Sequence, residues 1–232
     1  MKIVVNHLTR MQPGYICVAG IDLATGEHVR PVLEGVRLSR DLLVRSGGPF
    51  DIASVADLGT TRHIGKPPEN EDYVLNPNTA TRVKDVVADK YWKLLMKTAK
   101  PTLAAIFGPA LAARTPGCAI DLGQGNASLG CLIPAAAPEI WVDGWDKIRI
   151  ELTDGTLTPN LSVTDLRLYE DDQKTPRRKL VDRIAARLKK GVGVVVAVGL
   201  ARPWQKPGDT ERRHWLQVNN LHLEDDPAWQ LG

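Results

Sequence analysis

Short apolar runs, separated by clusters of glycine, proline and asparagine, follow one another along most of this chain and predict many short strands. YICVAGI at 15–21 and EHVRPV at 27–32 predict a hairpin that turns at 24–26. Near the other end, 192–199 and 214–222 predict a second hairpin. Strands and helices do not alternate regularly along the chain, so a doubly wound parallel sheet is disfavoured.

Helical periodicity in the first half is confined to its last third. Residues 83–97 predict a helix that ends before Pro101, and 102–113 predict a short second helix. We therefore expect a helical insertion around 83–113. The polar, proline-rich stretch at 62–82 that precedes it predicts an exposed connection.

The clearest helical pattern covers residues 175–190. Thr175 is the predicted N-cap, Pro176 takes the first helical position, and Gly191 stands just past the end. The face that would meet the core is apolar at i, i+4 and i+8. Most of the other positions are basic, which makes this helix a candidate contact surface.

The two hairpins share a sequence feature that indicates a weak internal repeat. Each contains an Arg-Pro step, at Arg30-Pro31 and at Arg202-Pro203. The alanine- and proline-rich stretch after residue 134 is the predicted boundary. We expect a mainly β fold with minor α (α+β), made of two small β barrels with accessory helices. Domain one spans 1–135 with the helical insertion, and domain two spans 136–232 with the basic helix.

Composition places the chain among ordinary soluble globular proteins. It has 232 residues, 43% hydrophobic and 25% charged, with a formal net charge of +3. No signal peptide is predicted, and no apolar run approaches the length of about 20 residues that spans a bilayer. Three cysteines without a CxxC spacing favour a reduced, cytoplasmic setting and give no support to a zinc ribbon.

Several segments together resemble a known family. They are the opening strand, the CVAG…GEHVRPV segment, SVTDLRLYE, and the closing GLARPW…HWLQVN. They look like the dual OB-containing domain family of bacteria, over about Met1 to Leu223. The resemblance implies two tandem OB-like folds and a role in nucleic-acid recognition within defence against invading DNA or RNA. OB-folds are partly open five-stranded barrels that bind oligonucleotides or oligosaccharides.

The closing hairpin mixes basic and aromatic side chains, which is the combination that single-strand binders use for phosphates and bases. Its predicted strand alternation puts an indole ring and two amides on one face. Together with the first Arg-Pro step, the candidate nucleic-acid-binding residues here are Arg30, Arg202, Trp204, Lys206, Arg213, His214, Trp215, Gln217 and Asn219. The alternative is that Trp215 belongs to the core and the amides cap loops.

The basic helix is the second candidate surface. Eight positive charges and one acid lie within the 17 residues from Lys174 to Lys190. Such a run fits a phosphate-contacting face with salt-dependent affinity, and it equally fits a solvated helix face. The candidate contacts are Arg177, Arg178, Arg183 and Arg187.

Catalytic and cofactor motifs are not found. GTTRHIGK departs from a phosphate-binding loop in its spacing and in the proline that follows it, and no HExxH, HxxxH or GxSxG occurs. We predict no catalytic residues, no metal site and no cofactor, although a histidine or carboxylate cluster formed by folding is not visible in a sequence.

The first hypothesis is therefore a non-enzymatic, cytoplasmic, tandem OB-like protein that binds nucleic acid, with single-stranded RNA or DNA favoured. A sensor of a nucleotide or other small ligand, held in a cleft between the barrels, is the alternative. A protein-binding adaptor and an enzyme of unfamiliar chemistry remain open, no membrane partner is expected, and the oligomeric state is not predicted.

Overall fold

The computed structural model describes residues 1–115 and 117–231. Strands far outnumber helices in this part of the chain, which confirms the prediction of a mainly β fold with minor α. The strands form curled sheets. Within the described ranges, no helix is both long and apolar enough to cross a membrane.

The first sheet is built from the N-terminal strands. They are β1 (Lys2–Arg10), β2 (Tyr15–Asp22), β3 (His28–Val32), β4 (Leu38–Ser39), β5 (Ser54–Asp57), β6 (Thr61–His63), β7 (Asp72–Leu75) and β8 (Thr81–Asp85). Their order is β6-β7-β3-β2-β1-β5-β8, with β4 pairing beside β2. The predicted first hairpin is β2 and β3, and its turn begins with the Asp22 side chain accepting from the backbone of Ala24 and Thr25.

Two further sheets are built from the rest of the chain. Their strands are β9 (Ala112–Ala113), β10 (Cys118–Asp121), β11 (Leu129–Leu132), β12 (Glu139–Val142), β13 (Ile148–Glu151), β14 (Asn160–Ser162), β15 (Val194–Leu200) and β16 (Arg213–Leu223). One sheet has the order β11-β15-β16-β10-β9 and the other β12-β13-β14. The predicted closing hairpin is β15 and β16. Strands β10 and β11 precede the boundary predicted at 135/136 and pair with the strands that follow it.

The helices are shorter than the sequence patterns indicate. They are α1 (Ala88–Thr98), α2 (Leu103–Phe107) and α3 (Arg178–Lys189), with single 3-10 turns at Arg40–Leu42, Val44–Ser46 and Leu166–Leu168. Residues 83–85 of the predicted first helix belong to β8 instead, because this strand pairs with β5. Helix α2 ends at Gly108, whose φ of 85° takes the chain out of the helix.

The predicted N-terminus of the basic helix is wrong by two residues. The hydroxyl of Thr175 donates to the carboxylate of Asp172, 2.6 Å away, within a turn of its own. Helix α3 begins only at Arg178, after an N-cap at Arg177 that has no side-chain cap. The hydroxyl that was predicted to cap the helix is therefore hydrogen-bonded to an acidic side chain instead.

Two hydrophobic cores fill the molecule, and they interlock. One is formed by residues between Ile3 and Leu95, and the other by residues between Leu103 and Leu223. Three side chains from the C-terminal half, Cys131, Leu166 and Val195, pack in the first core. The two halves are therefore joined by shared packing.

The N-terminal and C-terminal strands meet along a seam, which we define as the contact between β1 and β16. Asn220 accepts from the Leu8 amide at 2.7 Å and donates to the Leu8 carbonyl at 3.2 Å, so its side chain does what a neighbouring peptide group does in a sheet. His222 adds a bond from Nε2 to the carbonyl of Asn6, at 2.9 Å. Each of these groups is buried.

Both strands of the seam contain a bulge at corresponding sequences. The β1–β2 register skips Asn6 and the β15–β16 register skips Asn219. Each asparagine lies in a Val-Asn-x-Leu string, VNHL at 5–8 and VNNL at 218–221. Because a bulge re-aims neighbouring side chains, these repeats turn polar groups toward the junction of the two halves.

A buried ion pair fastens the end of β16. Arg167 and Asp165 are both fully buried, and Arg167 donates 2.6 Å to Asp165 and 2.9 Å to the carbonyl of Leu221. Its guanidinium also stacks on the ring of Trp229, 3.8 Å from the centroid. Because each of these partners also satisfies backbone groups, the pair holds the C-terminal segment against the seam.

Replacing Asn220 by alanine tests the seam. The change leaves the buried amide and carbonyl of Leu8 without partners, and each such group costs about 1–3 kcal/mol. We expect Asn220→Ala to lower the free energy of unfolding by about 2–5 kcal/mol, measured by urea denaturation. Asn78→Ala, at an exposed turn position, is the matched control and stays within about 0.5 kcal/mol of the parent. Equal stability of the two variants contradicts the role given to the seam.

Candidate functional site

A cavity of about 420 Å³ opens between the two halves beside the seam. Its walls come from β1, β2 and β3 on one side and from the ends of β15 and β16 on the other. We call it the cleft. Its polar lining includes Arg10, Arg30, Arg37, Arg202, Gln217 and Asn219. Four of the sequence-predicted residues, Arg30, Arg202, Gln217 and Asn219, are therefore brought together here.

The two Arg-Pro steps converge on one carboxylate. Arg30 Nε donates to Asp72 Oδ1 at 2.5 Å, and Arg202 Nη2 donates to Asp72 Oδ2 at 2.6 Å. Asp72 reaches this position because β7 pairs in parallel with β3 and places it beside Arg30. Arg202 makes a further ion pair with Glu69, 2.8 Å away. The two Arg-Pro steps that the sequence analysis singled out thus meet at one side chain.

Part of the arginine hydrogen-bonding capacity in the cleft is unused. Arg30 Nη2 and Arg10 Nε are buried and have no hydrogen-bond partner among the described residues. The rest of Arg10 is held in place, since Nη1 donates to the carbonyl of Gln173 at 2.9 Å and the guanidinium stacks on Tyr169. A buried donor without an acceptor costs about 1–3 kcal/mol, and a guanidinium makes its strongest hydrogen bonds with a negatively charged acceptor.

Two amides form the opposite wall. Gln217 Nε2 donates to Asn219 Oδ1 at 3.0 Å, and Asn219 Nδ2 lies 3.0 Å from His7 Nδ1. Gly199, across the strand pair, makes room for them, because a Cβ there would lie 2.4 Å from Asn219 Nδ2. Two amides held in this way can recognise the donor and acceptor edge of a planar ring.

The remaining hairpin candidates lie outside the cleft or are occupied by internal contacts. Trp204 is 44% exposed. His214 is buried, with Nδ1 3.1 Å from the carbonyl of Ala201. Arg213 contacts three carboxylates at 2.5–2.7 Å, those of Asp209, Asp121 and Glu211, and the first two raise its pKa above its ordinary value.

Trp215 does not offer the open ring that the sequence interpretation assigned to it. Its side chain is 6% exposed, and the ammonium of Lys206 lies 3.3 Å from the centroid of the ring. The lysine covers the face on which a base would stack. The core alternative stated above therefore describes the position of this ring better.

The basic helix is a separate surface. Val181, Ile184 and Leu188 bury its apolar face in the second core. Three of its candidate cations pair with acids, in the contacts Arg177 with Glu170, Arg178 with Asp146 and Arg187 with Asp225, and Arg183 is exposed. Within the described ranges, no residue of α3 lines the cleft.

Sequence analysis missed Asp72 and Arg37, and it did not keep Arg10 among the candidate binding residues. Asp72 lies in the stretch at 62–82 that was predicted to be an exposed connection, although DYVL there forms β7. The short run Tyr73-Val74-Leu75, of residues common in strands, was a usable signal for a strand. The matching VNHL and VNNL strings were a second signal, and they would have identified the seam.

The structure is thus a β-rich fold with two interlocked cores and an arginine-lined pocket between them. The family model described as the dual OB-containing domain matches residues 1–221, and the chain belongs to that family. The predicted resemblance and the prediction of tandem OB-like domains are thereby confirmed. No curated protein and no solved structure matches the chain at a significant level.

Asp72→Asn tests the carboxylate that holds the two arginines. Among the described residues, Asp72 is the one carboxylate to which both Arg30 and Arg202 donate hydrogen bonds. Breaking a buried ion pair by removing one charge costs about 3–5 kcal/mol. We expect a loss of this size in urea denaturation. Asp171, which also contacts two arginines but is exposed, is the matched control, and Asp171→Asn leaves the midpoint unchanged. A similar small effect for both variants contradicts the role given to Asp72.

Proposed function

We propose that the protein binds nucleic acid without catalysing a reaction, and that the cleft takes one nucleotide of single-stranded RNA or DNA. The observation that carries this proposal is the pair of buried, unpartnered guanidinium donors on Arg30 and Arg10 in a pocket between two OB-like halves. OB-folds commonly bind oligonucleotides, and phosphate oxygens are the acceptors that arginine recognises best.

The part of the proposal that concerns the phosphate rests on the positive charge of the cleft. Four arginines line the cleft, while Asp72 and Glu69 are the carboxylates that offset them through Arg30 and Arg202. The remaining positive charge lies in a partly enclosed site, where its attraction for a phosphate is screened less than at the surface. Arg30 Nη2 and Arg10 Nε are the donors assigned to the phosphate.

The part of the proposal that concerns the base rests on the side chains of the opposite wall and on the size of the cavity. A cavity of about 420 Å³ is ample for one nucleotide and lies in the range of about 300–1,000 Å³ that is typical of small-ligand pockets. Ile16, Leu38 and Leu200 provide apolar surface for a ring, and Gln217 and Asn219 provide donors and acceptors for its edge. The neighbouring nucleotides would lie outside, where Trp204 is exposed two residues after Arg202.

A sensor of a free nucleotide is the second candidate. It is favoured by the same cavity size, and by the cover of Lys206 over Trp215, because a long strand binder ordinarily presents several open rings in a row. Both candidates use one ligand chemistry, a phosphate joined to a base. A cytoplasmic setting and a role in bacterial defence belong to the first candidate as its proposed biological context.

Binding of fluorescent single-stranded RNA, single-stranded DNA, duplex and a mononucleotide, followed by anisotropy, tests the proposal. Arg202→Gln removes a charged contact from the cleft while Arg30 keeps Asp72, and the loss of such a contact, about 1.5–3 kcal/mol, weakens binding at least tenfold. Gln217→Ala should change the order of preference among the bases. Arg183→Gln, on the exposed face of α3, is the control and keeps the parent affinity.

The salt series separates the cleft from the basic helix. A single strand contributes a slope of about −0.7 in log affinity against log salt for each phosphate contacted. One or two phosphates in the cleft predict a slope of about −0.7 to −1.4, and many contacts along α3 predict a steeper one. Affinity that increases as the ligand is lengthened from one nucleotide to several supports binding of single-stranded nucleic acid. Saturation by a mononucleotide supports a sensor of free nucleotides. If Arg202→Gln keeps the affinity of the parent protein and Arg183→Gln loses it, the proposal that the cleft is the binding site is contradicted.

A further inference from the structure

A second group of side chains lies behind the cleft, at the junction of the two cores. The ligand-type atoms of His7, His28 and Cys131 all lie within 4.8 Å of one another. They come from β1, β3 and β11, so both halves of the molecule contribute. We propose that His7, His28 and Cys131 bind a Zn²⁺-type divalent transition metal ion, with the side-chain oxygen of Asn6 as the fourth ligand.

The spacing of Cys131 and His28 matches one edge of a tetrahedral site. Cys131 Sγ lies 3.8 Å from His28 Nε2. With metal–sulfur and metal–nitrogen bonds of about 2.3 and about 2.05 Å, the corresponding edge of a tetrahedron is about 3.6 Å. Nitrogen and sulfur from histidine and cysteine are the donor set that zinc prefers. The two groups are thus already spaced as neighbouring ligands.

Asn6 provides the next corner. The terminal nitrogen of its amide lies 3.1 Å from His28 Nε2 and 3.2 Å from Cys131 Sγ, while its oxygen is buried with no partner among the described residues. The nitrogen and oxygen of an amide exchange places by a half-turn. That turn brings the oxygen beside both groups, at distances close to the edges of the same tetrahedron.

His7 has one ring nitrogen available for the metal. Its Nδ1 lies 3.0 Å from the amide nitrogen of Asn219, and its Nε2 is buried without a partner among the described residues. Nε2 is therefore the nitrogen assigned to the metal. The proton then resides on Nδ1. The Asn219 and Gln217 amides both make a half-turn, so that the Asn219 oxygen accepts from Nδ1 as the outer partner of a metal-bound histidine, and the Gln217 oxygen accepts from the Asn219 nitrogen.

The bulge in β1 explains why two consecutive residues reach the same place. In a regular strand Asn6 and His7 would point to opposite faces. The bulge at Asn6 breaks this alternation, and both side chains contact His28, Asn6 by the 3.1 Å approach and His7 by an edge-on ring contact of 5.1 Å between centroids. The local strand geometry therefore converges on the group.

A cavity gives a metal ion a route to the group. The cavity has a volume of about 640 Å³, is separate from the cleft, and is lined by His28 and Cys131. On binding, the Cys131 thiol releases its proton to solvent, and the resulting thiolate bonds to the metal.

Cobalt(II) is the probe for this site. Protein purified without a histidine tag and treated with a chelator should bind one Co²⁺ per chain and develop the thiolate-to-cobalt charge-transfer absorption in the near ultraviolet. Zn²⁺ should abolish the band by displacing the cobalt. Cys131→Ser should remove the band, and His28→Gln should weaken cobalt binding at least tenfold. Cys118→Ser and His63→Gln, which change a cysteine and a histidine outside the group, are the matched controls and keep the band.

The folding of the variants is checked by circular dichroism in the near ultraviolet. If Cys131→Ser does not fold, X-ray absorption at the zinc edge of the unmodified protein decides, and one sulfur with nitrogen and oxygen neighbours is the expected shell. Absence of a charge-transfer band in the parent, a band that persists in folded Cys131→Ser, or a zinc shell without sulfur overturns the proposal. In those cases the group is a metal-free hydrogen-bonded cluster centred on the Asn6 amide.

Discussion

The bonding of one asparagine side chain to one peptide unit is the contact on which the rest of the molecule depends. Asn220 of β16 accepts from and donates to the backbone of Leu8 in β1, and so replaces two ladder bonds at the point where the N-terminal and C-terminal strands meet. Since all of these groups are buried, no water can substitute for the amide. The seam fixes how the two cores face each other, and the cleft is the space that this arrangement leaves.

Desolvation, more than the number of charges, distinguishes the cleft from the rest of the basic surface. Helix α3 has the densest run of cations in the chain, yet its arginines lie in solvent and three of them pair with acids there. In the cleft, Asp72 accepts hydrogen bonds from Arg30 and Arg202. Further guanidinium donors, on Arg30 and Arg10, are buried and have no partner among the described residues. A charged donor without an acceptor in a partly buried site is the stronger reason for an anionic ligand to bind.

Local patterns predicted the hairpins well because alternation and turn residues act over a few positions. The strands at 15–22, 28–32, 194–200 and 213–223 lie close to where the pattern put them. Contacts between distant residues were not predictable in this way. Asp72 stands 130 positions before Arg202, and the cover of Trp215 depends on how the loop places Lys206. The repeat of VNHL and VNNL was visible in the sequence, but its meaning depends on two bulges that only the paired strands show.

The central claim is that the cleft between the two halves is where a nucleotide binds. Nuclear magnetic resonance of the arginine Nε–H groups, recorded while a short single-stranded oligonucleotide is added to the unmodified protein, tests it most directly. The account predicts that the signals of Arg10, Arg30 and Arg202 shift together and saturate, while that of Arg183 on α3 stays in place. Shifts confined to Arg183 and its neighbours on the helix, with the cleft arginines unchanged, would contradict it.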